Sequence, residues 1–585
     1  MARLAATPRW QALLHINPGA TLRGVGTSYV DDADFFLSAN GARDPLAELR
    51  ATRKALAPPH SPARCRFPAR YRFLAEHLGW HEADPLGHCQ AYHDWRERMP
   101  IGQLVLVFPA AYLNSPSSMF GHTLLRLDAS KTPESEYLSR AITFSAQTAG
   151  QDNSALYIWR GLAGGYPGRF SVSSYAQRIH QYGFLENRDI WEYTLNLNHD
   201  ELDWLVAHLW ELRDINFDYY FFDENCSFRL LELVNVARPE ADLLQGLRVT
   251  ELPVHTIRTL EQAGLVTSRH YRASKVNALT HAAEALSPAD RRLAARLMHD
   301  PSLLESNAFK ARPPGQRHRI ADVAYQALRI KGRKSARSRD TAQASLALLR
   351  AVQQNPAPPD TAAAAPAPPE AGHRTHLASL AAGSLDGRAF GEFGFRMTYH
   401  DVLDRPQGYL DGAGIEGFNL KLRAYEDGDV ELERLDLVHI RSIAPRSTFF
   451  SPISWFVDGG LEQVPLEHDR GLGLQIQGGP GLAWQLGHLR PYGFAVARAE
   501  TVPQSEPTLA AGAGAQLGAL WIQKPVQLGI DFEQLYFTPG FERQRTSLTA
   551  NVPISTNNAL RSSCRYESQD SGGITQCQIG FRHFF

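Results

Sequence analysis

Beyond residue 373 apolar and polar side chains alternate with a period of two. Stretches of about ten residues with this period, separated by turns, are typical of membrane barrels. Residues 374–585 therefore predict a C-terminal antiparallel transmembrane β-barrel of about 10–12 strands, with a soluble β-sandwich as the alternative. The apolar positions that carry the pattern include Phe393, Phe395, Met397, Tyr399, Phe418, Leu420, Leu422, Ala424, Ile579, Phe581 and Phe585.

Residues 98–260 combine strand and helix patterns. Leu104–Phe108 is a continuous apolar run of the kind buried on both faces of a sheet, His122–Asp128 alternates polar and apolar residues, and Ala141–Ala146 predicts a third strand. Asn198 can cap one helix, and a second amphipathic helix begins at Cys226. The mixture favours an α+β domain.

The rest of the chain divides by composition. Residues 1–97 predict a small accessory domain with helices over Asp44–Leu56 and Pro68–Leu78, and residues 261–354 predict a helical segment. Residues 355–373 are rich in proline and alanine, which predicts an extended linker. A basic run in the helical segment favours a solvated stretch, with contact to anionic lipid headgroups as the alternative; it comprises Lys331, Arg333, Lys334, Arg337 and Arg339.

The charge balance limits the classes of partner. The 585 residues carry 60 basic and 61 acidic side chains, so the net charge gives no reason to expect nucleic acid. No stretch is apolar for long enough to predict a transmembrane helix. Met1–Trp10 lacks the apolar segment of a secretory signal, so we expect a signal that has been removed or a wrongly assigned start.

The five cysteines sort into two pairs and one single residue. Cys65 and Cys89 bracket one N-terminal segment, while Cys564 and Cys577 flank a turn sequence, so that a hairpin would place them directly opposite each other. Two disulfides predict an oxidising compartment, with four unrelated free cysteines as the alternative. Cys226 is left unpaired.

Cys226 lies where an aromatic run meets a new helix, in the sequence YFFDENCSFRLL. A cysteine in the first helical turn faces the positive end of the helix dipole and unpaired N–H groups, which lower its pKa and can stabilise an adjacent oxyanion. Lone cysteines are usually buried core residues. The polar flank at 223–225 argues against that interpretation and predicts Cys226 as a nucleophile.

His122 is the strongest candidate among 22 histidines for the base that a nucleophilic cysteine needs. It follows the turn-forming sequence NSPSSMFG and heads a predicted strand. A third polar group normally orients such an imidazole. The candidates for an orienting or supporting role are Thr143, Ser145, Glu186, Asp189 and Asn225, although a buried ion-pair network is an equally good interpretation of the acidic pair.

The order of His122 on an early strand before Cys226 on a later helix resembles the circularly permuted papain-like hydrolases and acyltransferases. Four motifs between residues 100 and 260 resemble, more specifically, the Lnb N-terminal periplasmic domain family: FGHT at 120–123, GGYPG at 164–168, RDIWEY at 188–193 and ENCS at 224–227. The resemblance implies a permuted papain-like (NlpC/P60-like) catalytic domain over residues 98–260.

The resemblance also implies a reaction. The family's namesake moves an acyl chain from phospholipid to the amino group of a lipidated lipoprotein, so Cys226 would carry the chain as a thioester after His122 removes its proton. The implied partners are a phospholipid donor and a lipoprotein or other amine acceptor, with outer-membrane lipid around the barrel. Tyr219, Tyr220 and Phe222 are candidates to line an acyl groove, with a plain core strand as the alternative.

Two other functions stay open. A cysteine amidase or peptidase acting on cell-wall peptides uses the same thiolate and oxyanion chemistry. A non-enzymatic outer-membrane barrel could instead carry a periplasmic domain that binds lipid or a partner. The sequence has no Gly-x-Ser-x-Gly elbow, Walker A lysine or clustered zinc ligands, so no cofactor or metal is implied. The predicted location is the outer membrane, with the catalytic domain in the periplasm.

Overall fold

A computed structural model describes residues 1–585 except 20–24, 112, 114–118, 131–135, 148–159, 161–163, 221–223, 245–250, 334–337, 357–364, 466–469, 502–507, 539 and 570–571, and except the side chains of Tyr137 and Pro465. The chain forms two compact units, residues 1–281 with 330–336 and residues 282–329 with 337–585. None of the described helices is both long enough and apolar enough to cross a membrane.

The first unit is built on an antiparallel sheet of seven strands in the order β6-β4-β3-β2-β1-β5-β7. The strands are β1 Gln103–Pro109, β2 Leu124–Asp128, β3 Arg140–Ala146, β4 Tyr166–Ser174, β5 Ile190–Leu195, β6 Phe217–Tyr219 and β7 Val266–Arg272.

Helices flank this sheet. The α-helices of the first unit are Ala2–Ala5, Pro8–Leu13, Pro45–Leu56, Pro62–Arg66, Pro68–Leu78, Gln90–Arg96, Tyr175–Ile179, His199–Glu211, Cys226–Ala237 and Pro253–Gln262; a π-helix spans His180–Leu185, and Lys275–Glu284 crosses the boundary between the units. Asn198 caps the His199–Glu211 helix through the predicted capping box with Glu201. Trp204 of this helix and Val236 share a core with Trp10 and Phe73 of the N-terminal helices.

The central strands are buried on both faces. Leu104, Leu106 and Phe108 of β1 pack in the main core, while Val105 and Val107 pack in a second cluster on the other face. The main core includes side chains of the His199–Glu211 and Cys226–Ala237 helices, and the second cluster includes Tyr175 and Tyr182. The continuous apolar run Leu104–Phe108 is therefore buried on both faces of the sheet, as predicted.

Strand β2 differs from the expected alternation, because all five of its residues are buried. The polar positions are buried as ion pairs: Arg126 Nε lies 3.0 Å from Asp128 Oδ1, and Arg126 Nη1 lies 2.8 Å from Glu192 Oε2. Charged side chains can occupy a buried strand when partners neutralise them.

The second unit contains the barrel and the helices that precede it. The α-helices are Pro288–His299, Asn307–Lys310, Pro314–Lys331 and Arg339–Gln353. The predicted basic run falls partly outside the described residues, because Lys334 and Arg337 are among those that the structure does not describe.

Twelve antiparallel strands, β8 to β11 and β13 to β20, close into a barrel through the pairing of β20 with β8. The strands are β8 Leu377–Leu385, β9 Arg388–His400, β10 Ala413–Tyr425, β11 Val430–Ser442, β13 Ser454–Pro465, β14 Arg470–Trp484, β15 Leu489–Thr501, β16 Leu509–Gln523, β17 Val526–Thr538, β18 Glu542–Pro553, β19 Asn558–Gln569 and β20 Gly572–Phe584; the short β12, Pro445–Arg446, pairs with β14. The count lies within the predicted range.

The two faces of the barrel reverse the usual burial pattern. Charged side chains such as Arg396, Arg423 and Glu500 are buried inside, while apolar side chains point outward and are exposed. The outward set includes Leu474, Ile476, Leu517, Ile530, Leu548, Ile579, Phe581 and Phe585. An apolar exterior around a polar interior is the arrangement of an outer-membrane barrel and excludes a β-sandwich, whose apolar faces meet in a core.

Both predicted disulfides are present. Cys65 and Cys89 are joined, and so are Cys564 and Cys577, which face each other across the β19–β20 hairpin as the turn symmetry predicts. Cys226 is the one free cysteine and is buried; all five cysteines lie in the described part of the chain.

Candidate active site

Asn225 fixes the start of the Cys226–Ala237 helix. Its Oδ1 accepts hydrogen bonds from the backbone N–H groups of Ser227, at 2.9 Å, and Phe228, at 3.4 Å. Its Nδ2 donates to the Glu251 carbonyl at 2.6 Å. Because Asn225 occupies the cap position, Cys226 is the first residue of the helix, as the sequence predicts.

His122 is held between the end of β1 and the start of β2. Its backbone N–H donates to the Pro109 carbonyl at 3.2 Å. Gly121 immediately before it has a φ of +99°, and a Cβ atom there would lie 2.6 Å from the Phe108 ring. A larger residue at 121 would therefore strain the backbone and press on the β1 strand.

These two elements bring the predicted nucleophile and base together. Cys226 Sγ lies 3.1 Å from His122 Nδ1, and the cysteine side chain is almost fully buried. Burial alone would raise the pKa of the thiol, but the charge of His122, its hydrogen bond, and hydrogen bonds from the backbone and side chain of Thr123 outweigh burial and lower the pKa from 9.0 to about 6. The site therefore favours a thiolate near neutral pH.

Thr123 and Ser227 connect the two elements behind the sulfur. Their hydroxyl oxygens lie 3.2 Å apart, and both residues are fully buried. Thr123 follows His122 and Ser227 follows Cys226, so this bond ties the start of β2 to the start of the helix beside the predicted nucleophile and base. The sequence motifs contain both residues, but their mutual contact was not predicted.

Tyr182 and Arg188 form a wall of the site that sequence reasoning missed. The Tyr182 ring centroid lies 6.0 Å from that of His122, and the Arg188 guanidinium lies 5.1 Å from the Tyr182 ring centroid. Arg188 donates to the carbonyls of Pro109, at 2.8 Å, and Ala110, at 2.7 Å. Pro109 is also the acceptor for the His122 backbone N–H, so Arg188 fixes the segment that holds His122.

Arg188 is also a buried positive charge within electrostatic reach of the sulfur. Burial lowers the pKa of Arg188, while the negative charges of Glu186 and of the Cys226 thiolate oppose that lowering. Burial raises the pKa of Tyr182, which keeps its hydroxyl protonated.

The predicted orienting residues have other partners. The Thr143 hydroxyl bonds the Ser171 hydroxyl at 2.8 Å, and Ser145 faces Arg169 in the β3–β4 register. Glu186 accepts from Arg188 at 3.2 Å. Among the residues that the structure describes, none of these side chains is hydrogen-bonded to the His122 ring, which bonds Cys226.

Asp189 is engaged away from the base. It accepts hydrogen bonds from the Tyr271 hydroxyl at 2.9 Å, from the Ser274 backbone N–H at 2.8 Å and from the Asn277 side chain. These contacts join the residue before β5 to β7 and to the chain that follows it. They support the ion-pair and hydrogen-bond interpretation of the acidic pair rather than an orienting role.

The three residues predicted to line an acyl groove lie in different surroundings. Tyr219 is buried and stacks on Phe144, with ring centroids 5.8 Å apart, so it is a core residue. Tyr220 is half-buried and lies against Gly164, where a Cβ atom would meet the phenol ring. Phe222 and the residues Asn114–Ser118, for which the sequence predicts a turn, lie outside the described residues.

A chain of buried charges supports the nucleophile helix from behind. Arg229, one turn after Cys226, pairs with Glu224 and, at 2.7 Å, with Glu232. Glu232 Oε1 lies 3.2 Å from Nδ1 of His15. All of these side chains are almost completely buried, so each charge depends on its partners for stabilisation.

The chain continues through a pair of histidines. Nε2 of His15 lies 2.9 Å from Nε2 of His208, and His208 Nδ1 lies 3.0 Å from Glu211 Oε2. Burial lowers the pKa of His208 to about 4, although Glu211 acts in the opposite direction. His208 is therefore neutral at neutral pH, and a hydrogen bond joins its ring to that of His15.

Two groups of side chains in the described part of the chain have the spacing of metal ligands, and neither lies at Cys226. One is Cys65, His88 and Cys89, whose sulfur atoms form a disulfide. The other is His373, His400 and Asp404. Three arginines already neutralise Asp404, so this group does not fit a cation; they are Arg396, Arg561 and Arg582.

Comparison with known families agrees with the sequence motifs. Residues 91–263 match the family model of the Lnb N-terminal periplasmic domain. Three further models, each described as a domain of unknown function, match residues 2–77, 269–363 and 366–584. No curated protein matches the chain significantly.

Solved outer-membrane proteins are similar to the barrel. A loop-deletion mutant of OmpT from Vibrio cholerae is 8% identical with a TM-score of 0.20, covering 37% of this chain and 100% of that chain. An anion-selective porin from Comamonas acidovorans is 10% identical with a TM-score of 0.20, covering 36% and 99%. The KdgM porin in complex with disordered oligogalacturonate is 9% identical with a TM-score of 0.23, covering 36% and 99%. Likenesses this low carry no argument about what the barrel does.

Proposed function

We propose that residues 91–263, which belong to the Lnb N-terminal periplasmic domain family, form a cysteine-dependent acyltransferase of permuted papain-like arrangement. The acyl chain passes from a phospholipid to an amine, such as that of a lipoprotein, through a thioester on Cys226. The observation that carries the proposal is the 3.1 Å contact between Cys226 Sγ and His122 Nδ1 at a helix start, with a thiol pKa of about 6.

In the first half-reaction His122 Nδ1 takes the proton of the Cys226 thiol. The thiolate attacks the ester carbonyl carbon of the phospholipid, a C–S bond forms, and the carbonyl electron pair moves to oxygen. When this tetrahedral intermediate collapses, the bond between the acyl carbon and the glycerol oxygen breaks. The leaving oxygen takes the proton from His122, which gives lysophospholipid and acyl-Cys226.

In the second half-reaction the nitrogen of a neutral amine attacks the thioester carbonyl. His122 takes one proton from the nitrogen, the C–S bond breaks, and the sulfur leaves as a thiolate. The products are an N-acylated acceptor and the Cys226–His122 pair in its ionised form, which is ready for another donor. No cofactor or external oxidant is required for either step.

The first turn of the helix is suited to stabilise the oxyanion that forms beside the sulfur. Cys226 is the first helical residue, so its backbone N–H has no acceptor within the helix, and the dipole of the twelve-residue helix favours negative charge there. The side chain of Asn225 occupies the next two N–H groups. The Cys226 N–H is thus the donor that the cap leaves available.

The barrel supports a lipid donor. Its exposed apolar exterior belongs to the same polypeptide as the site, so the enzyme stays attached to a bilayer that contains phospholipid. The acceptor in this setting is any periplasmic molecule with a reactive amine, of which a lipidated lipoprotein is one.

The test is acyl transfer by the full-length chain. We expect the protein, mixed with vesicles whose phospholipid carries a deuterated acyl chain and with an amine-bearing lipopeptide, to release lysophospholipid and to yield labelled lipopeptide. Cys226→Ser should abolish both products, and His122→Gln should slow them by about 100-fold or more. His199→Gln, which changes an exposed histidine, is the matched control and should keep full activity.

Two outcomes would overturn the proposal. Full activity of Cys226→Ser would remove the nucleophile. Hydrolysis of cell-wall peptides without any lipid product would favour a cysteine amidase instead, since both reactions use the same thiolate.

A further inference from the structure

The interior of the barrel is crossed by ion pairs between its walls. Three arginines reach acidic residues on strands that are separated from their own by four intervening strands of the twelve. In a closed barrel of twelve strands such positions lie on nearly opposite walls, so each pair spans the lumen. The pairs are Arg441–Asp531 at 3.7 Å, Arg545–Glu462 at 3.5 Å and Arg565–Glu433 at 3.3 Å.

One end of the lumen is covered by the loop at 401–412, which connects β9 and β10. Asp404 in this loop is buried and pairs with Arg396 of β9 at 2.8 Å and with Arg561 of β19 at 2.9 Å. Asp411 pairs with Arg490 of β15, on the far side of the barrel. The loop is therefore anchored by charges to several walls at once.

A polar cavity remains between these pairs. The lumen contains a cavity of about 350 Å³ lined by charged side chains of both signs.

From these contacts we infer that residues 377–584 form a closed, non-conducting barrel whose task is membrane attachment, not transport of solutes. Twelve strands are enough to enclose a wide lumen, so the closure comes from the side chains and the loop, not from the size of the barrel. This inference is independent of the chemistry proposed for Cys226.

The arginines allow a test that does not leave buried acids without partners. Without Arg565, Glu433 still pairs with Arg423 and Arg470. Without Arg545, Glu462 still pairs with Arg434 and Arg498, and without Arg441, Asp531 still accepts from Tyr492. The triple variant Arg441→Ser, Arg545→Ser and Arg565→Ser should therefore fold while its lumen opens.

The experiment is conductance of the full-length protein in planar lipid bilayers in molar potassium chloride. We expect the parent to show no channel steps, and the triple variant to show steps at least about tenfold above the parent's baseline. Arg388→Ser, which removes an arginine paired with Asp427 and Asp429 at an exposed turn, is the control and should stay silent.

Heat-modifiable migration on a gel shows whether each variant has folded. Channel steps from the parent would overturn the inference. A folded triple variant that stays silent would also overturn it, because the lumen would then be closed by something other than these pairs. If the triple variant does not fold, Arg565→Ser alone is measured by the same criteria.

Discussion

Alkylation of Cys226 as a function of pH measures the ionisation on which the proposed chemistry depends. The contact with His122 and the hydrogen bonds of Thr123 lower the pKa of the thiol from 9.0 to about 6. At pH 7 a thiol with a pKa of about 6 is about 90% thiolate, whereas one with a pKa of 9.0 is about 1% thiolate. The expected difference in reactive fraction is therefore nearly two orders of magnitude.

The assay measures the rate at which a small alkylating reagent modifies the unreduced, full-length protein, followed by mass spectrometry of quenched samples at each pH. Cys226 is the free cysteine of this protein. The rate should rise with a midpoint near pH 6. His122→Gln removes the largest favourable contribution and should move the midpoint above about pH 8, while His199→Gln should leave it unchanged. A parent midpoint above pH 8, or the same midpoint in His122→Gln, would refute the assignment of the ion pair.

Three further predictions concern the support of the site. Folding lowers the pKa of His208 from about 6.5 to about 4, so its contribution to the unfolding free energy is complete above pH 6.5. About 3 kcal/mol of this free energy should be lost as the pH falls from 6.5 to about 4. Hydrogen-exchange protection of the His199–Glu211 helix should show this pH dependence, and His208→Gln should lack it. Gly121→Ala should lower the unfolding free energy by about 1–3 kcal/mol and should also lower activity, because Gly121 has a positive φ. An unchanged unfolding free energy and activity in this variant would contradict the role assigned to Gly121. Loss of the Cys65–Cys89 disulfide, which closes a separation of 24 residues, should lower the unfolding free energy by about 3 kcal/mol in denaturant melts, and the unreduced, denatured parent should show a single reactive thiol.

The features that the sequence predicted well are local. The start of the helix at Cys226 follows from the capping chemistry of Asn225, and the start at His199 follows from that of Asn198. The pairing of Cys564 with Cys577 follows from the symmetry of one hairpin. Such signals depend on a few neighbouring residues, so the sequence is sufficient to read them.

The features that the sequence did not predict depend on contacts between distant segments. Arg188 reaches the carbonyl of Pro109 because β5 pairs with β1, and no local pattern specifies that pairing. Asp189 lies close to Glu186 in sequence, but its partners come from β7 and from the chain that follows it. Glu186 and Asp189, which are close in sequence, therefore take part in two separate sets of contacts in the structure.

The barrel shows the same division. Alternation predicted the strands and their two faces, because successive side chains of a barrel strand face the bilayer and the lumen in turn. The number of strands was only bounded, because connections range from the two-residue turn at 386–387 to the loop at 401–412. The ion pairs across the lumen join strands that are remote along the chain and could not be read from any one of them.

The proposed thioester on Cys226 can be detected from the intact mass of the full-length protein after incubation with a phospholipid of defined acyl chain and no acceptor. We expect one added acyl group on Cys226, located by peptide mapping, released by neutral hydroxylamine, and absent in Cys226→Ser. An unmodified parent protein, or the same adduct on Cys226→Ser, would contradict it.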